Sequence, residues 1–259
     1  MTTIQTSIIR MLNFDSYRAV KHVESLQTYN KGFHPPRNMN RLLYFPVPGR
    51  GEASRVALSL SKLEWEDVEV DGDTFNQMRN DGELPWDMLP VLQTPNGTLA
   101  ESSAILRYAG GFAGLIPTDA YQAAKADEFM DGMGPLARAL DTTFGISDFD
   151  ERVAKRKAIF EVGGQGAKNL QYLEDKVGKS SSGWAADTDE MSIADLKLFT
   201  ELFALFSGNY DGIEKSVIAR YPNLLKYHNK VANESRISNH YNGITEDDIR
   251  WTFLPGAFD

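Results

Sequence analysis

Cysteine is absent from this chain of 259 residues, and histidine occurs only four times. The lack of cysteine excludes disulfide bonds, thiolate zinc sites and every mechanism that needs a cysteine nucleophile. The histidines show no spacing typical of metal ligands, so we expect no metal site. We expect surface or packed positions for all four, which are His22, His34, His228 and His240.

The chain also lacks long hydrophobic runs and any excess of positive charge. No segment reaches the roughly 18 apolar residues that a membrane span requires. The net charge of −9 repels phosphate backbones, which makes nucleic acid a poor partner. One basic cluster, Arg152 to Lys157, has helical spacing and is expected to be a solvated helix face. We therefore expect a soluble, cytoplasmic protein that binds a small molecule or another protein.

Residues 1–40 differ in pattern from the rest of the chain. An imperfect helical period over residues 8–23 is interrupted by Gly32 and by Pro35 and Pro36. The segment lacks the apolar core of a secretory signal, and its acidic residues fit an organelle-targeting peptide badly, although cleaved targeting remains an alternative. We expect an N-terminal extension without a catalytic role.

Residues 41–116 show the pattern of a small α/β domain. The predicted strands are Leu42–Phe45, Trp65–Val70, Met88–Leu92 and Thr98–Ala100. An apolar helical stripe begins at Ala53, and Asn96-Gly97 predicts a hairpin between the last two strands. After Pro117 only helical patterns remain, broken by glycines. The sequence therefore predicts an α/β domain followed by an all-α domain over residues 122–259.

Five segments carry a family resemblance, and they occur in order over residues 41–240. They are Tyr44–Glu52 (YFPVPGRGE) with Arg55, Met88–Leu92, Glu101–Ile105, Ser192–Asp195 and Tyr221–Leu224. Together they resemble pi- and sigma-class glutathione transferases of the tyrosine type. The resemblance implies a thioredoxin-like first domain, glutathione as co-substrate, a small hydrophobic electrophile as second substrate, a role in detoxification, and a homodimer.

The resemblance implies catalytic roles for Tyr44 and Arg50. A phenol at the end of a strand can donate its O–H to a bound sulfur and thereby favour thiolate over thiol. Arg50 would stabilise the tyrosine or the charge of the tripeptide; the alternative is a surface ion pair with Glu52 or another acid. An intact tyrosine motif argues against a non-catalytic scaffold of the same fold, which remains an alternative, as does a sigma-like glutathione-dependent isomerase.

The remaining predicted site residues would hold the three parts of glutathione. Ser102, at the start of a helix, would bind the γ-glutamyl carboxylate, or else serve only as a helix cap. Glu101 would pair with the α-ammonium group. Leu89 would offer its backbone to the cysteinyl part, turned toward the ligand by a cis Pro90.

Phe75 and Arg79 align with the aromatic residue and the lysine that usually contact the glycyl end of glutathione in pi and sigma enzymes. The resemblance therefore implies that these two residues bind the glycyl end.

The electrophile is expected between the two domains. The residues expected near it are Val47, Pro48, Met133 and Leu136. Three aromatic residues near the C-terminus, Trp251, Phe253 and Phe258, are candidates to close over it. In the second domain Ser192 and Asp195 have the spacing of a capping box, which we interpret as a folding feature rather than a catalytic pair.

Overall fold

The computed structural model describes residues 39–259. The predicted extension, residues 1–40, therefore lies outside the described residues apart from its last two. The first part of the described chain forms a four-stranded sheet. Its strands are β1 (Asn40–Tyr44), β2 (Trp65–Glu69), β3 (Val91–Thr94) and β4 (Gly97–Ala100).

The sheet is mixed, with the spatial order β2-β1-β3-β4. Strands β1 and β2 are parallel, whereas β3 runs antiparallel to both β1 and β4. The predicted hairpin at Asn96-Gly97 joins β3 to β4, and Gly97 takes a φ of 128°, a value that glycine adopts without a Cβ penalty. Strand β3 begins at Val91 rather than at Met88, because Pro90 has no N–H to donate to the ladder.

Three helices accompany the sheet: α1 (Glu52–Leu60), α2 (Gly72–Asn80) and α3 (Ser102–Phe112). Helix α1 buries all of its first seven residues because it packs against α3 on one side and the second domain on the other. The order of strands and helices is that of a thioredoxin-like domain. It brings the ends of β1 and β3 and the first turn of α3 into one region.

The second domain is helical. Its helices are α4 (Ala120–Gly132), α5 (Gly134–Asp141), α6 (Phe149–Phe160), α7 (Gln165–Lys179), α8 (Ile193–Lys197), α9 (Lys215–Ile218), α10 (Pro222–Ala232) and α11 (Ser235–His240). Helix α8 continues as a π-helical segment, Leu198–Leu202, and then as a 3₁₀ turn, Ala204–Phe206. This continuous helix is almost wholly buried, and α1 packs against it.

Asp195 fixes the start of this central helix, as the sequence predicted. Its carboxylate accepts hydrogen bonds from the Ser192 N–H at 2.8 Å and the Ala185 N–H at 2.7 Å. The hydroxyls of Ser192 and Tyr227 donate to it at 3.1 and 3.0 Å. Burial raises the pKa of Asp195, and the four hydrogen bonds oppose that effect. The residue serves the fold rather than catalysis.

The basic cluster on α6 is not a solvated face, contrary to the sequence-based expectation. Arg152 and Arg156 are both buried, and both guanidinium groups pair with Asp211, at 2.8 and 3.5 Å. Local spacing could not reveal this arrangement, because the compensating acid lies far along the chain. Lys157 does remain exposed and pairs with Glu214 at 3.5 Å.

The two domains share one apolar core and a buried polar connection. Glu52 on α1 accepts hydrogen bonds from Tyr241 at 3.2 Å and from Arg250 at 3.1 Å, and both partners belong to the second domain. Neighbouring Arg55 pairs with the other oxygen of Glu52 at 3.1 Å. Within residues 39–259, no helix is long and apolar enough to cross a membrane.

Candidate active site

Tyr44 ends β1 in a buried position beside the turn that leads into α1. Its hydroxyl oxygen accepts a hydrogen bond from the Arg50 backbone N–H at 3.2 Å. A side chain at Gly51 would overlap the Tyr44 ring, so glycine is required there for the turn to close over the phenol. The proton of the Tyr44 hydroxyl has no acceptor among the described residues. The arrangement leaves a buried O–H free to donate.

Burial keeps this phenol protonated. Removal from water raises the pKa of Tyr44 above its ordinary value, and the nearby charges of Arg50 and Arg55 oppose that effect only in part. The guanidinium of Arg55 lies 5.4 Å from the centre of the Tyr44 ring. The same guanidinium donates to the carbonyl oxygens of Phe45 at 2.9 Å and Val47 at 2.8 Å. Arg55 therefore holds the turn after Tyr44 in place.

Arg50 acts through its backbone on Tyr44 and through its side chain on the second domain. Its guanidinium pairs with Asp141 at the end of α5, at 2.6 Å. The predicted alternative, a surface ion pair, therefore forms with Asp141 rather than with Glu52. The backbone hydrogen bond from Arg50 to Tyr44 is present in addition. Arg50 also lines two clefts of the protein.

The first cleft is a small groove at the edge of the sheet. It is lined by Arg50, Pro85, Trp86, Met88, Leu89, Pro90, Ala100, Glu101 and Ser102. The Leu89–Pro90 peptide bond is cis, in agreement with the expectation from the resemblance. The backbone of Leu89 makes no hydrogen bond within the described part of the chain. Four of the predicted glutathione residues and Arg50 therefore share one groove.

The first turn of α3 presents donors to this groove. Glu101 takes a φ of 69°, which only a constrained turn imposes on a residue other than glycine, and Ser102 is the first residue of the helix. Neither side chain makes a hydrogen bond or ion pair within residues 39–259. Ser102 does not serve as a helix cap, because no side chain makes a capping hydrogen bond at the start of α3. Unused N–H groups at a helix start suit a carboxylate.

The second cleft lies between the two domains and opens to solvent. Its walls are mostly apolar: Met133, Leu136, Ala137, Leu140 and Phe144 from the α4–α6 region, and Leu202 and Leu205 from the central helix. Met133 and Leu136 were expected here, whereas Gly49 and Arg50 take the places expected of Val47 and Pro48.

Two polar residues that no sequence pattern singled out also line the second cleft, namely Glu201 and Tyr210. Glu201 lies on the π-helical segment, a feature often found at functional sites, and pairs with Lys197 at 2.7 Å. The π-helix is the feature that draws attention to Glu201, and a π-helix cannot be predicted from one sequence.

Two groups of expected residues lie outside both clefts. Phe75 is only 5% exposed in an apolar cluster, where its ring packs against Phe45 at 5.3 Å between centres. Arg79 is exposed on α2, with its guanidinium 5.9 Å from the Phe75 ring. The structure therefore does not bring this pair together with Glu101 and Ser102.

The C-terminal aromatic residues do not close over the second cleft either, which corrects that expectation. Phe253 and Phe258 pack against the central helix, with ring centres 5.4 Å from Phe199 and Phe203 respectively. The indole of Trp251 donates to the carbonyl oxygen of Ser207 at 3.1 Å. These rings therefore pack on the central helix instead of covering the cleft.

Comparison with known proteins identifies two matching family models and several relatives. Residues 40–110 match the family model for the glutathione S-transferase N-terminal domain, and residues 142–242 match the model for the C-terminal domain. Glutathione S-transferase 1 of Ascaris suum is 30% identical over 147 residues, which cover 55% of this chain and 68% of that protein. Glutathione S-transferase A1 of Homo sapiens is 27% identical over 201 residues, covering 77% and 83%.

Solved structures show the same fold. Prostaglandin synthase D of Nilaparvata lugens aligns with a TM-score of 0.67 at 20% identity, over 80% of this chain and 98% of that one. At this identity the likeness concerns the fold alone. The two matched domains in their order, together with the relative from Ascaris suum, show that the chain belongs to the glutathione S-transferase family and is an enzyme with glutathione as its co-substrate.

Proposed function

We propose that the Tyr44 hydroxyl donates a hydrogen bond to the sulfur of bound glutathione and so favours the thiolate that attacks a hydrophobic electrophile. The observation that carries this proposal is the buried Tyr44 O–H, whose oxygen accepts from Arg50 while its proton has no acceptor among residues 39–259. Accepting one hydrogen bond polarises the hydroxyl and makes it a better donor.

The energy of one such hydrogen bond is of the required size. A free thiol has a pKa of ~8.5, and lowering that pKa by ~2 units requires ~2.7 kcal/mol of selective thiolate stabilisation. A hydrogen bond to a charged group supplies ~1.5–3 kcal/mol. The thiolate also becomes a weaker nucleophile as its pKa falls, with a Brønsted slope of ~0.4–0.5. Alignment of the electrophile beside the sulfur therefore supplies most of the acceleration.

The sheet-edge groove supports binding of glutathione in one orientation. The start of α3 offers Ser102 and its neighbouring N–H groups to the γ-glutamyl carboxylate, and Glu101 is free to pair with the α-ammonium group. The unpaired backbone of Leu89 lies beside this turn and suits the cysteinyl peptide. The sulfur then points toward Arg50 and Tyr44, where the groove meets the apolar cleft.

The apolar cleft supports a hydrophobic electrophile as second substrate. We assign the enzyme to the tyrosine type with a sigma- or pi-like arrangement, because the tyrosine ends β1 and the glycine-arginine turn directly follows. We also propose the domain boundaries 41–116 and 122–259, a cytoplasmic location and a homodimer. Trp86, 78% exposed beside the groove, is a large apolar surface of the kind that a second copy would cover.

The test compares wild type with Tyr44→Phe in conjugation of glutathione to an aryl halide, with glutathione affinity measured alongside. At pH 6 we expect kcat/KM to fall by about tenfold, since the bound thiolate becomes roughly 75-fold scarcer while its nucleophilicity rises about 6- to 10-fold. Affinity for glutathione should stay within about twofold at this pH, because the bound thiol is mostly protonated in both proteins. Tyr172→Phe, at an exposed tyrosine on α7, is the matched control and should leave both quantities unchanged.

The outcomes also separate the alternative functions. Equal activity of wild type and Tyr44→Phe would contradict the tyrosine mechanism. A wild type that binds glutathione and isomerises a substrate without forming a conjugate would favour the sigma-like isomerase. A wild type that passes through a glutathione-affinity column unbound would favour the scaffold.

A further inference from the structure

Glu201 is the one acid among the described residues that line the apolar cleft. From Met191 to Phe206 every residue of the central helix and its entry is buried except Glu201, which is partly exposed. The residue lies on the π-helical segment Leu198–Leu202, whose other members are fully buried. Such irregular turns occur often at functional sites. A buried helix that turns a single acid into a cleft indicates that the acid meets what binds there.

Lys197 holds the Glu201 carboxylate from one side. Its Nζ donates to Oε1 of Glu201 at 2.7 Å, one helical turn away, and its side chain is only 9% exposed. Lys197 does not itself line the cleft. The second carboxylate oxygen, Oε2, forms no hydrogen bond with any residue in the range 39–259. The ion pair therefore presents its negative end to the cleft, with one acceptor oxygen unused.

The other charges near the cleft are paired or lie behind its wall. Arg50, the second charged residue among the described lining residues, pairs with Asp141. Arg152 and Arg156 are buried and share Asp211, and aromatic rings of the wall separate the Arg156 guanidinium from the cleft. The free carboxylate oxygen is therefore the charge that a molecule in the cleft contacts directly.

Glu201 also lies near the reacting end of the cleft. Burial raises the pKa of Tyr44 and of Tyr210, and the negative charge of Glu201 acts on both in the same direction. An electrophile placed against a sulfur at Tyr44 therefore lies within the field of this carboxylate. In apolar surroundings a carboxylate attracts a cation and repels an anion more strongly than it does in water.

Building on the proposed function, we propose that Glu201 determines which electrophiles the cleft accepts, namely hydrophobic molecules that carry a protonated amine near the reacting group. The ammonium N–H donates to Oε2 of Glu201, while apolar walls such as Leu136 and Leu205 contact the hydrocarbon part. With an aryl chloride, the glutathione thiolate forms a C–S bond, the C–Cl bond breaks, and chloride leaves with the electron pair. The ammonium group keeps its charge throughout, so its role is in recognition.

The test uses three aryl chlorides that share one reacting ring. They are amides of 4-chloro-3,5-dinitrobenzoic acid whose nitrogen carries a 2-aminoethyl, a propyl or a 2-carboxyethyl group, which are cationic, neutral and anionic at neutral pH. We expect the wild type to show a kcat/KM about 5- to 10-fold higher for the amine than for the propyl amide, with the carboxylate lowest. Division by the uncatalysed rates removes the attraction that operates in solution.

Two variants separate the charge of Glu201 from its place in the helix, and the ratio between substrates cancels any general loss of activity. Glu201→Gln should bring the ratio of amine to propyl amide to about one or below, because Lys197 then adds an unpaired positive charge. The double change Lys197→Gln and Glu201→Gln removes both charges, so the three amides should react within about twofold of one another. Glu246→Gln, at an exposed acid outside both clefts, is the matched control and should keep the wild-type ratio.

Each outcome has a defined meaning. An equal ratio in wild type and Glu201→Gln would overturn the assignment, and if that variant does not fold, the double variant decides by the same ratio. A wild type that conjugates the propyl amide without preferring the amine would overturn this inference and leave the proposed function standing. If the wild type conjugates none of the three and no other aryl halide, the proposed function itself fails. Tyr44→Phe should lower turnover of all three to a similar extent, because it acts on the shared nucleophile.

Discussion

Two buried carboxylates of the helical domain differ from the polar groups beside the clefts in how fully they are hydrogen-bonded. Asp195 accepts four hydrogen bonds, and Glu174 accepts from the backbone N–H groups of Asn223 and Leu224 at 2.9 and 2.8 Å. At the clefts, by contrast, the protons of Tyr44 and Tyr210 and the groups at the start of α3 have no partner in the described chain.

The contrast has a physical basis. A buried polar group without a partner costs of the order of 1–3 kcal/mol, so a fold satisfies such groups wherever it can. Groups left open beside a cleft are retained because a ligand or a reacting atom satisfies them. The full hydrogen bonding of Asp195 and Glu174 therefore suits a role in stability, and the unused hydrogen-bonding capacity beside the clefts suits ligand binding.

The largest effect that this comparison predicts is on stability, at Asp195. Replacement by alanine leaves two N–H groups and two hydroxyls without their acceptor in a buried place, so Asp195→Ala should lower the free energy of unfolding by ~3–5 kcal/mol. Urea titration measures this quantity. The matched change Asp175→Ala, at an exposed acid bonded only to Gln171, should cost less than ~0.5 kcal/mol. Equal losses of unfolding free energy in the two variants would contradict the role assigned to Asp195.

The next effect is the pH dependence of stability from His228. Burial lowers the pKa of this histidine to about 4, and its Nε2 lies 2.7 Å from the Thr252 carbonyl oxygen. Because the folded pKa lies below the unfolded value of 6.5, the unfolded state takes up more protons between these values. The stabilisation is complete above about pH 6.5 and is lost as the pH falls toward 4, by at most ~3 kcal/mol.

Unfolding curves of wild type and His228→Gln between pH 7 and 4 check this prediction. The difference between them should shrink as the pH falls, since the variant lacks the titrating ring. His240 titrates with a lowered pKa in both proteins and so cancels in the difference. Parallel curves would show that His228 does not titrate as its burial requires.

A smaller effect is expected at Ser102, which we propose binds the γ-glutamyl carboxylate of glutathione. Ser102→Ala should raise KM for glutathione about 5- to 10-fold, equivalent to ~1–1.4 kcal/mol, and leave the free energy of unfolding unchanged within ~0.5 kcal/mol. Ser235→Ala, at the first residue of α11, offers a matched helix-start serine remote from the clefts and should alter neither quantity. A loss of stability without a change in KM would assign Ser102 to the fold.

Local signals in the sequence predicted much of this molecule. The hairpin at Asn96-Gly97 and the capping residues Ser192 and Asp195 depend on neighbours within a few residues, and both were confirmed. The family resemblance located the groove residues from Leu89 to Ser102, because their spacing is fixed by the sheet and the turn after it.

The errors came from contacts between distant parts of the chain. Arg156 looked like a surface residue because Asp211, its partner, lies beyond any helical spacing. No sequence pattern pointed to Tyr210, since it reaches the apolar cleft only through the packing of the helical domain. Phe75 lies in the core, because the apolar face of α2 is buried there.

The most direct test of the central claim is the ionisation of bound glutathione, followed by the ultraviolet absorbance of its thiolate as a function of pH. In the wild type the apparent pKa of the bound thiol should lie ~2 units below the free value of ~8.5, and in Tyr44→Phe it should return close to that value. An equally lowered pKa in both proteins would contradict the account, because another group would then be stabilising the thiolate.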